Sequence, residues 1–126
     1  MNTNEPNRKK RILIVEDEES NYLFLEAVLK KGDHDLIRAE DGVKALEIFE
    51  KQGDQLDLVF MDIKIPKIDG LEVTRRMKAK DPSIYIIAQT AHAMSGDREK
   101  ALNAGCDDYL SKPLSRDEVI DKVNQL

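Results

Sequence analysis

The chain has 126 residues, which suits one compact domain, and its net charge of −5 with 36% charged residues describes a well-solvated globule. An acidic balance gives no general reason to expect nucleic-acid binding. The single cysteine, Cys106, excludes an intrachain disulfide and a multi-cysteine zinc site. No apolar stretch has the length of a signal-peptide core or a membrane span, so we expect a cytoplasmic protein that binds neither nucleic acid nor membrane.

Five short apolar runs along the chain predict five β-strands. The runs are 12–15, 36–39, 58–61, 84–88 and 109–110. The first, third and fourth runs are nearly continuous, which is typical of strands that are covered on both faces of a parallel sheet. The second and fifth runs are weaker signals, and the fifth is difficult to assign by itself.

Segments with helical periodicity follow the apolar runs. Apolar residues at helical spacing predict five buried helix faces, formed by Leu23, Phe24, Ala27 and Val28; Val43, Leu46 and Phe49; Leu71, Thr74 and Met77; Ala101 and Leu102; and Val119, Ile120 and Val123. Gly32 and Gly105 are suited to end the first and fourth helices, Ser95 could cap the fourth, and Ser115 begins a capping box for the fifth. Five βα units in series predict one doubly wound α/β domain with right-handed crossovers.

Polar side chains follow these runs at the positions where open α/β sheets bind ligands. Glu16 and Asp17 follow the first run, Asp62 the third, Thr90 the fourth and Lys112 the fifth. Because neighbouring strands lie about 5 Å apart, we expect the three carboxylates to converge. Crowded carboxylates repel one another, and Mg²⁺ is a hard cation that prefers such oxygen ligands. Together with a hydroxyl and an ammonium group, the set suits a tetrahedral anion such as a phosphoryl group.

Four segments of the sequence carry a resemblance to a known family. They are 12–18 (ILIVEDE), 59–70 (VFMDIKIPKIDG), 90–91 (TA) and 105–113 (GCDDYLSKP). In this order and at these spacings they resemble the CheY-like receiver domain of two-component response regulators over nearly the whole chain. The resemblance implies a single flavodoxin-like (βα)5 domain, a doubly wound parallel sheet with strand order 2-1-3-4-5.

The resemblance also implies how the site residues act. Asp62 would accept a phosphoryl group from a sensor histidine kinase or a histidine phosphotransfer protein. Lys112 would pair with the Asp62 carboxylate and then with a phosphoryl oxygen. Asp17, Asp62 and the backbone carbonyl of Lys64 would bind Mg²⁺, while Glu16 would bind through water or help to shape the pocket.

Further residues would respond to the phosphoryl group. Thr90 would move toward it, and Tyr109 would turn inward and report the change to a downstream protein target on the face formed by the fourth and fifth helices and the fifth strand.

The peptide bond before Pro113 would be cis. Lys64 and His92 would border the entry of attacking water and set the lifetime of the phosphorylated state.

We divide the chain into a flexible N-terminal lead, residues 1–10, and a receiver domain, residues 11–126. The basic run 8–11 is interpreted as part of a solvent-exposed tail. We expect no output domain, since the chain ends directly after the fifth helix. The start at Met1 favours a stand-alone regulator, whereas the run 110–114 resembles receivers attached to hybrid kinases, and both forms stay open.

Other classes of function are alternatives to this phosphoacceptor switch. An aspartyl-nucleophile phosphatase resembling the haloacid dehalogenase family needs a second aspartate two residues after the first-strand nucleophile, but Glu19 stands at that distance from Asp17. A phosphate-independent adaptor would keep the fold without using the site, and a flavin or dinucleotide binder would need a glycine-rich loop after the first strand. Taken singly, acidic residues such as Glu18 are often helix caps. We expect a switch that catalyses only its own phosphorylation and dephosphorylation.

Overall fold

The computed structural model describes residues 9–91 and 96–126. In these residues, strands and helices alternate in the order β1 (Arg11–Val15), α1 (Glu19–Lys30), β2 (Asp35–Ala39), α2 (Gly42–Gln52), β3 (Leu58–Asp62), α3 (Gly70–Lys80), β4 (Ile86–Thr90), α4 (Asp97–Ala104), β5 (Asp108–Ser111) and α5 (Arg116–Asn124). All neighbouring strands are parallel, and the sheet order is β2-β1-β3-β4-β5. The predicted (βα)5 fold with strand order 2-1-3-4-5 is therefore confirmed.

Two apolar layers cover the sheet because successive residues of a strand point to opposite faces. On one face, Ile14, Phe60 and Leu110 pack with buried residues of α1 and α5. On the other face, Val15 and Ala88 pack with buried residues of α2, α3 and α4. This alternation decides on which side of the sheet each side chain at the carboxyl ends of the strands emerges.

The predicted buried face of α1 is wrong in part. Leu23 and Ala27 are exposed, and the buried residues of α1 are Leu25, Val28 and Leu29. Both sets of residues satisfy helical spacing, so periodicity alone could not choose between them. Two further residues that were predicted to lie in the core, in α2 and α4, are also exposed: Val43 and Leu102.

Strand β4 begins and ends two residues later than predicted. Ile84 is buried, but its backbone N–H donates to the carbonyl of Asp81 in the preceding turn. The strand instead continues through Gln89 and Thr90, which are polar and buried. Hydrophobicity marked the buried stretch correctly but misplaced the strand, because burial extends beyond the hydrogen-bonded ladder.

The basic run near the N-terminus is not uniformly solvated. Lys10 is buried, its backbone N–H donates to His34 Nδ1 over 3.0 Å, and its carbonyl accepts from the Asp35 N–H. Arg11 already belongs to β1. Solvent exposure is therefore the wrong prediction for Lys10, while residues 1–8 of the predicted lead and the predicted cap Ser95 lie outside the described residues.

The start of α3 packs directly against the end of β3. The Asp69 side chain caps this helix by accepting the N–H groups of Leu71 and Glu72. A Cβ atom built on Gly70 would lie 2.3 Å from the carbonyl oxygen of Asp62 and 2.8 Å from Cα of Ile63. Only glycine allows this approach, which fixes the backbone around Asp62.

No helix in the described part of the chain is long and apolar enough to cross a membrane.

Replacing Gly70 with alanine should lower the free energy of unfolding by about 1–3 kcal/mol or more, because the added methyl group meets backbone atoms that cannot move aside. Urea denaturation measures this loss. G96A is the matched control, since Gly96 has a φ of +84° but open space around its Cβ position, so only conformational strain of about 1–2 kcal/mol applies. An unchanged stability of G70A would contradict the close approach.

Candidate functional site

Three charged side chains meet on one face of the sheet, at the carboxyl ends of β1, β3 and β5. Glu16, Asp62 and Lys112 lie two positions after Ile14, Phe60 and Leu110, which belong to the core layer that packs with α1 and α5. Because alternate residues of a strand share a face, all three charged side chains emerge on that side of the sheet. Lys112 Nζ donates to Asp62 Oδ2 over 2.9 Å and lies 3.3 Å from Glu16 Oε1. Glu16 is completely buried and Asp62 is 4% exposed. The convergence of Glu16 and Asp62 that the sequence predicts is therefore present in the structure, and Lys112 joins both carboxylates.

Burial and the neighbouring carboxylates together set the pKa values in this group. Burial, followed by the hydrogen bond and charge of Asp62, raises the pKa of Glu16 to about 7. Burial alone would lower the pKa of Lys112, but the hydrogen bond and charge of Asp62, with the charge of Glu16, outweigh it and raise that pKa. One ammonium group thus serves two buried carboxylates and does not neutralise both.

Asp17 brings a third carboxylate to the group. One carboxylate oxygen from each of Glu16, Asp17 and Asp62 lies within 4.8 Å of the others, and Asp17 is exposed to solvent. Glu16 Oε1 is buried and, among the described residues, has no hydrogen-bond donor in suitable geometry. An open cluster of hard oxygen donors with uncompensated negative charge fits a divalent cation such as Mg²⁺.

Lys64 lies at the rim of the site. Its backbone N–H donates to Asp62 Oδ1 over 3.0 Å, and its side chain is exposed. Asp62 therefore accepts one bond through each carboxylate oxygen, from Lys64 and from Lys112. The peptide bond between Lys112 and Pro113 is cis. His92, the other predicted rim residue, lies outside the described residues.

The two predicted switch residues lie on β4 and β5. Thr90 pairs in register with Ser111, is buried, and donates its hydroxyl to Asp97 Oδ2 over 2.7 Å. Tyr109 is partly buried, and the Arg98 guanidinium lies 5.2 Å from the centre of its ring. These two interactions join Thr90 and Tyr109 to the first turn of α4 and not to the carboxylate group.

Sequence reasoning missed two buried polar residues beside the site. Asp97 resembles any acidic residue in the first turn of a helix, so nothing in the sequence distinguished it. Gln89 is completely buried, pairs in register with Asp62, and neither atom of its amide group has a hydrogen-bond partner within the described residues. The available signal for this second residue was its place directly after the apolar run 84–88, at the carboxyl end of the predicted strand.

Known proteins resemble this chain in both sequence and structure. The polar-differentiation response regulator DivK of Brucella anthropi is 37% identical over 116 residues, which cover 90% of this chain and 93% of DivK. The receiver domain of sensor histidine kinase PA1611 from Pseudomonas aeruginosa was solved with a magnesium ion coordinated in its active site cleft. It is 36% identical, has a TM-score of 0.86, and the match covers 94% of this chain and 97% of that chain.

A third similarity is to a complex. A chain in the co-crystal structure of the Saccharomyces cerevisiae histidine phosphotransfer protein Ypd1 and the receiver domain of Ssk1 is 29% identical with a TM-score of 0.84, over 93% of this chain and 88% of that chain. The profile of the response regulator receiver domain matches residues 12–124, nearly the entire chain. With the sheet order and the acidic cluster in agreement, the chain belongs to the response regulator receiver domain family of two-component signalling.

Proposed function

We propose that this receiver domain is a phosphoacceptor switch in which Asp62 carries the phosphoryl group. The observation that supports this most is the position of Asp62: its carboxylate is almost completely buried, at the carboxyl end of the central strand β3, and bonded to Lys112 over 2.9 Å. Aspartate is an established kind of covalent phosphoryl carrier. The protein would then act by binding partners and would catalyse only its own phosphorylation and dephosphorylation.

The donor would be the phosphohistidine of a sensor histidine kinase or a histidine phosphotransfer protein. An Asp62 oxygen forms a bond to phosphorus while the phosphorus–nitrogen bond of the donor breaks, and the imidazole leaves with the electron pair. Lys112 would neutralise charge on the transferred group, which is most of what phosphoryl transfer requires. The complex of Ypd1 with the Ssk1 receiver domain supports this class of donor.

Mg²⁺ is the cation that we propose for the acidic cluster. Asp17 and Asp62 would bind it through their side chains and Lys64 through its backbone carbonyl, and Glu16 would act through water or by shaping the pocket. When bound, the ion would neutralise negative charge on the phosphoryl oxygens. The magnesium ion in the PA1611 receiver domain and the convergence of three carboxylates in this chain support the assignment.

Phosphorylation would be read out by Thr90 and Tyr109. A new dianion on Asp62, at the end of the strand next to that of Thr90, is a local electrostatic change that can bias a two-state element. Tyr109 already touches α4 through Arg98, so its movement would alter the face formed by α4, β5 and α5, where a downstream protein would bind. Lys64 and His92 would set the rate at which water removes the phosphoryl group.

The cellular location that we propose follows from the kind of phosphodonor. Phosphohistidine donors are charged from ATP, so we place the protein in the cytoplasm. We keep the division into a lead at residues 1–10 and a receiver domain at 11–126 as part of the proposal. This chain can be compared with both kinds of receiver. The match covers 93% of DivK, and the PA1611 receiver domain is part of a sensor histidine kinase, so stand-alone and kinase-attached forms both stay open.

Incubation with acetyl phosphate and Mg²⁺ should give a single phosphoryl adduct, measured by intact mass. The adduct should be absent from D62N and from wild type with a chelator, because the first lacks the nucleophile and the second lacks the cation. E40Q, which changes an exposed acid after β2, should still form it. An undiminished adduct on D62N, or no adduct on wild type, would contradict the proposal and favour a phosphate-independent adaptor.

Replacing Asp17 with asparagine should weaken Mg²⁺ binding roughly tenfold or more, because a charged ligand of the ion is lost. Titration calorimetry with MgCl₂ measures the affinity. E18Q removes the same charge from the neighbouring exposed residue and should change the affinity only about twofold at physiological salt, since exposed charges are screened. Equal losses in the two variants would show that Asp17 acts only through general charge.

In the metal-free protein, replacing Glu16 with glutamine should remove a pH-dependent part of the stability. The fold raises the pKa of Glu16 from 4.5 to about 7, so the folded state keeps a proton that the unfolded state releases within that range. The resulting stabilisation is complete below the lower value and is lost as pH rises to the higher one. The free energy of unfolding of wild type minus that of E16Q should therefore decrease across this window.

Urea denaturation at a series of pH values measures this difference. E47Q, which changes an exposed carboxylate of α2, should follow the wild type throughout. A difference between wild type and E16Q that does not vary with pH would show that Glu16 is not held in its protonated form.

A further inference from the structure

A buried hydrogen bond outside the carboxylate cluster joins β4 to α4. The Thr90 hydroxyl donates to Asp97 Oδ2 over 2.7 Å, and the two residues are 1% and 8% exposed. A hydrogen bond to a carboxylate is stronger than one between neutral groups, and shielding from water strengthens it further. Asp97 therefore fixes the direction of the Thr90 hydroxyl proton.

This bond lies on the side of the sheet opposite to the phosphoacceptor. Thr90 follows Ala88 by two positions and so shares the face that packs with α4, whereas Asp62 shares the face of Phe60, toward α1 and α5. Asp97 begins α4, whose Ala101 packs in the same layer as Ala88. To reach a group on Asp62, the Thr90 hydroxyl has to leave Asp97 and turn over the edge of the sheet.

The two destinations of the hydroxyl exclude each other. A threonine hydroxyl has one proton to donate, and both an ionised carboxylate and a phosphoryl group offer acceptor oxygens only. We propose that Asp97 is a positioning residue that competes with phosphorylated Asp62 for the Thr90 hydroxyl and so holds the protein in its unphosphorylated conformation. This inference rests on the proposed function of Asp62.

The competition links phosphorylation to α4 by a named contact. When Thr90 turns toward the phosphoryl group, the first turn of α4 loses its bond to β4 at Asp97. The strength of this bond then determines how readily the switch turns on. A weaker acceptor at position 97 should favour the phosphorylated conformation, while the site of phosphorylation itself is untouched.

A double-mutant cycle tests the competition with beryllium fluoride and Mg²⁺, which together mimic a phosphoryl group on a carboxylate. The affinity is measured by calorimetry for wild type, D97N, T90V and the double variant. D97N should bind the mimic roughly fivefold more tightly than wild type, the difference expected between a charged and a neutral hydrogen bond. In the T90V background the same change should alter the affinity by less than about twofold, because the shared bond is already absent.

E99Q is the matched control, since Glu99 is an exposed acid in the same first turn of α4. It removes the same charge without touching Thr90 and should leave the affinity of the mimic unchanged. Nuclear magnetic resonance supplies a second readout. The methyl and amide signals of Thr90 in ligand-free D97N should move toward the positions that they occupy in wild type bound to the mimic, which a general loss of helix stability would not cause.

The possible results distinguish a failure of the role of Asp97 from a failure of the phosphoacceptor function of Asp62. Wild type that fails to bind the mimic with Mg²⁺ would overturn the phosphoacceptor function, and the role of Asp97 with it. Wild type that binds, while D97N binds no more tightly, would overturn the role of Asp97 alone. The same result follows if D97N tightens binding equally in the T90V background, or if E99Q matches its effect.

Discussion

The structure depends on placing two almost completely buried carboxylates, Glu16 and Asp62, beside one ammonium group, that of Lys112. Burial of charge is costly unless it is paired, and here a single lysine shares its charge between two acids. The raised pKa of Glu16 expresses this cost. A divalent cation or a proton relieves it, so the site is prepared to bind positive charge before any substrate arrives.

The fold makes this arrangement possible by means of strand alternation and strand order. β1 and β3 are neighbours in the sheet, so Glu16 and Asp62 leave adjacent strands on the same face. Gly70 allows α3 to press against the backbone of Asp62, and the cap at Asp69 fixes the start of that helix. Asp62 is thus held between β3 and the start of α3, whereas Thr90 and Tyr109 contact the first turn of α4.

Much of the fold and the cluster could be predicted because strong local signals agreed with one another. Buried strands were continuous in apolar residues, and acids after β1 and β3 had to converge once the sheet order was known. The buried face of α1 could not be chosen, because Leu23 and Leu25 each begin a sequence of apolar residues at helical spacing, and only packing decides between them. The contact of Thr90 with Asp97 depends on how α4 docks onto β4, which no local pattern specifies.

In the proposed function, Asp62 carries the phosphoryl group, and neighbouring aspartates of the same segment do not. Reduction of the phosphorylated protein with borohydride converts an aspartyl phosphate to homoserine, and tryptic digestion isolates the peptide of residues 52–64, which also contains Asp54 and Asp57. Tandem mass spectrometry of that peptide should find homoserine at position 62 and unmodified aspartate at the other two. Homoserine at either of those positions, or in another peptide instead, would contradict the account.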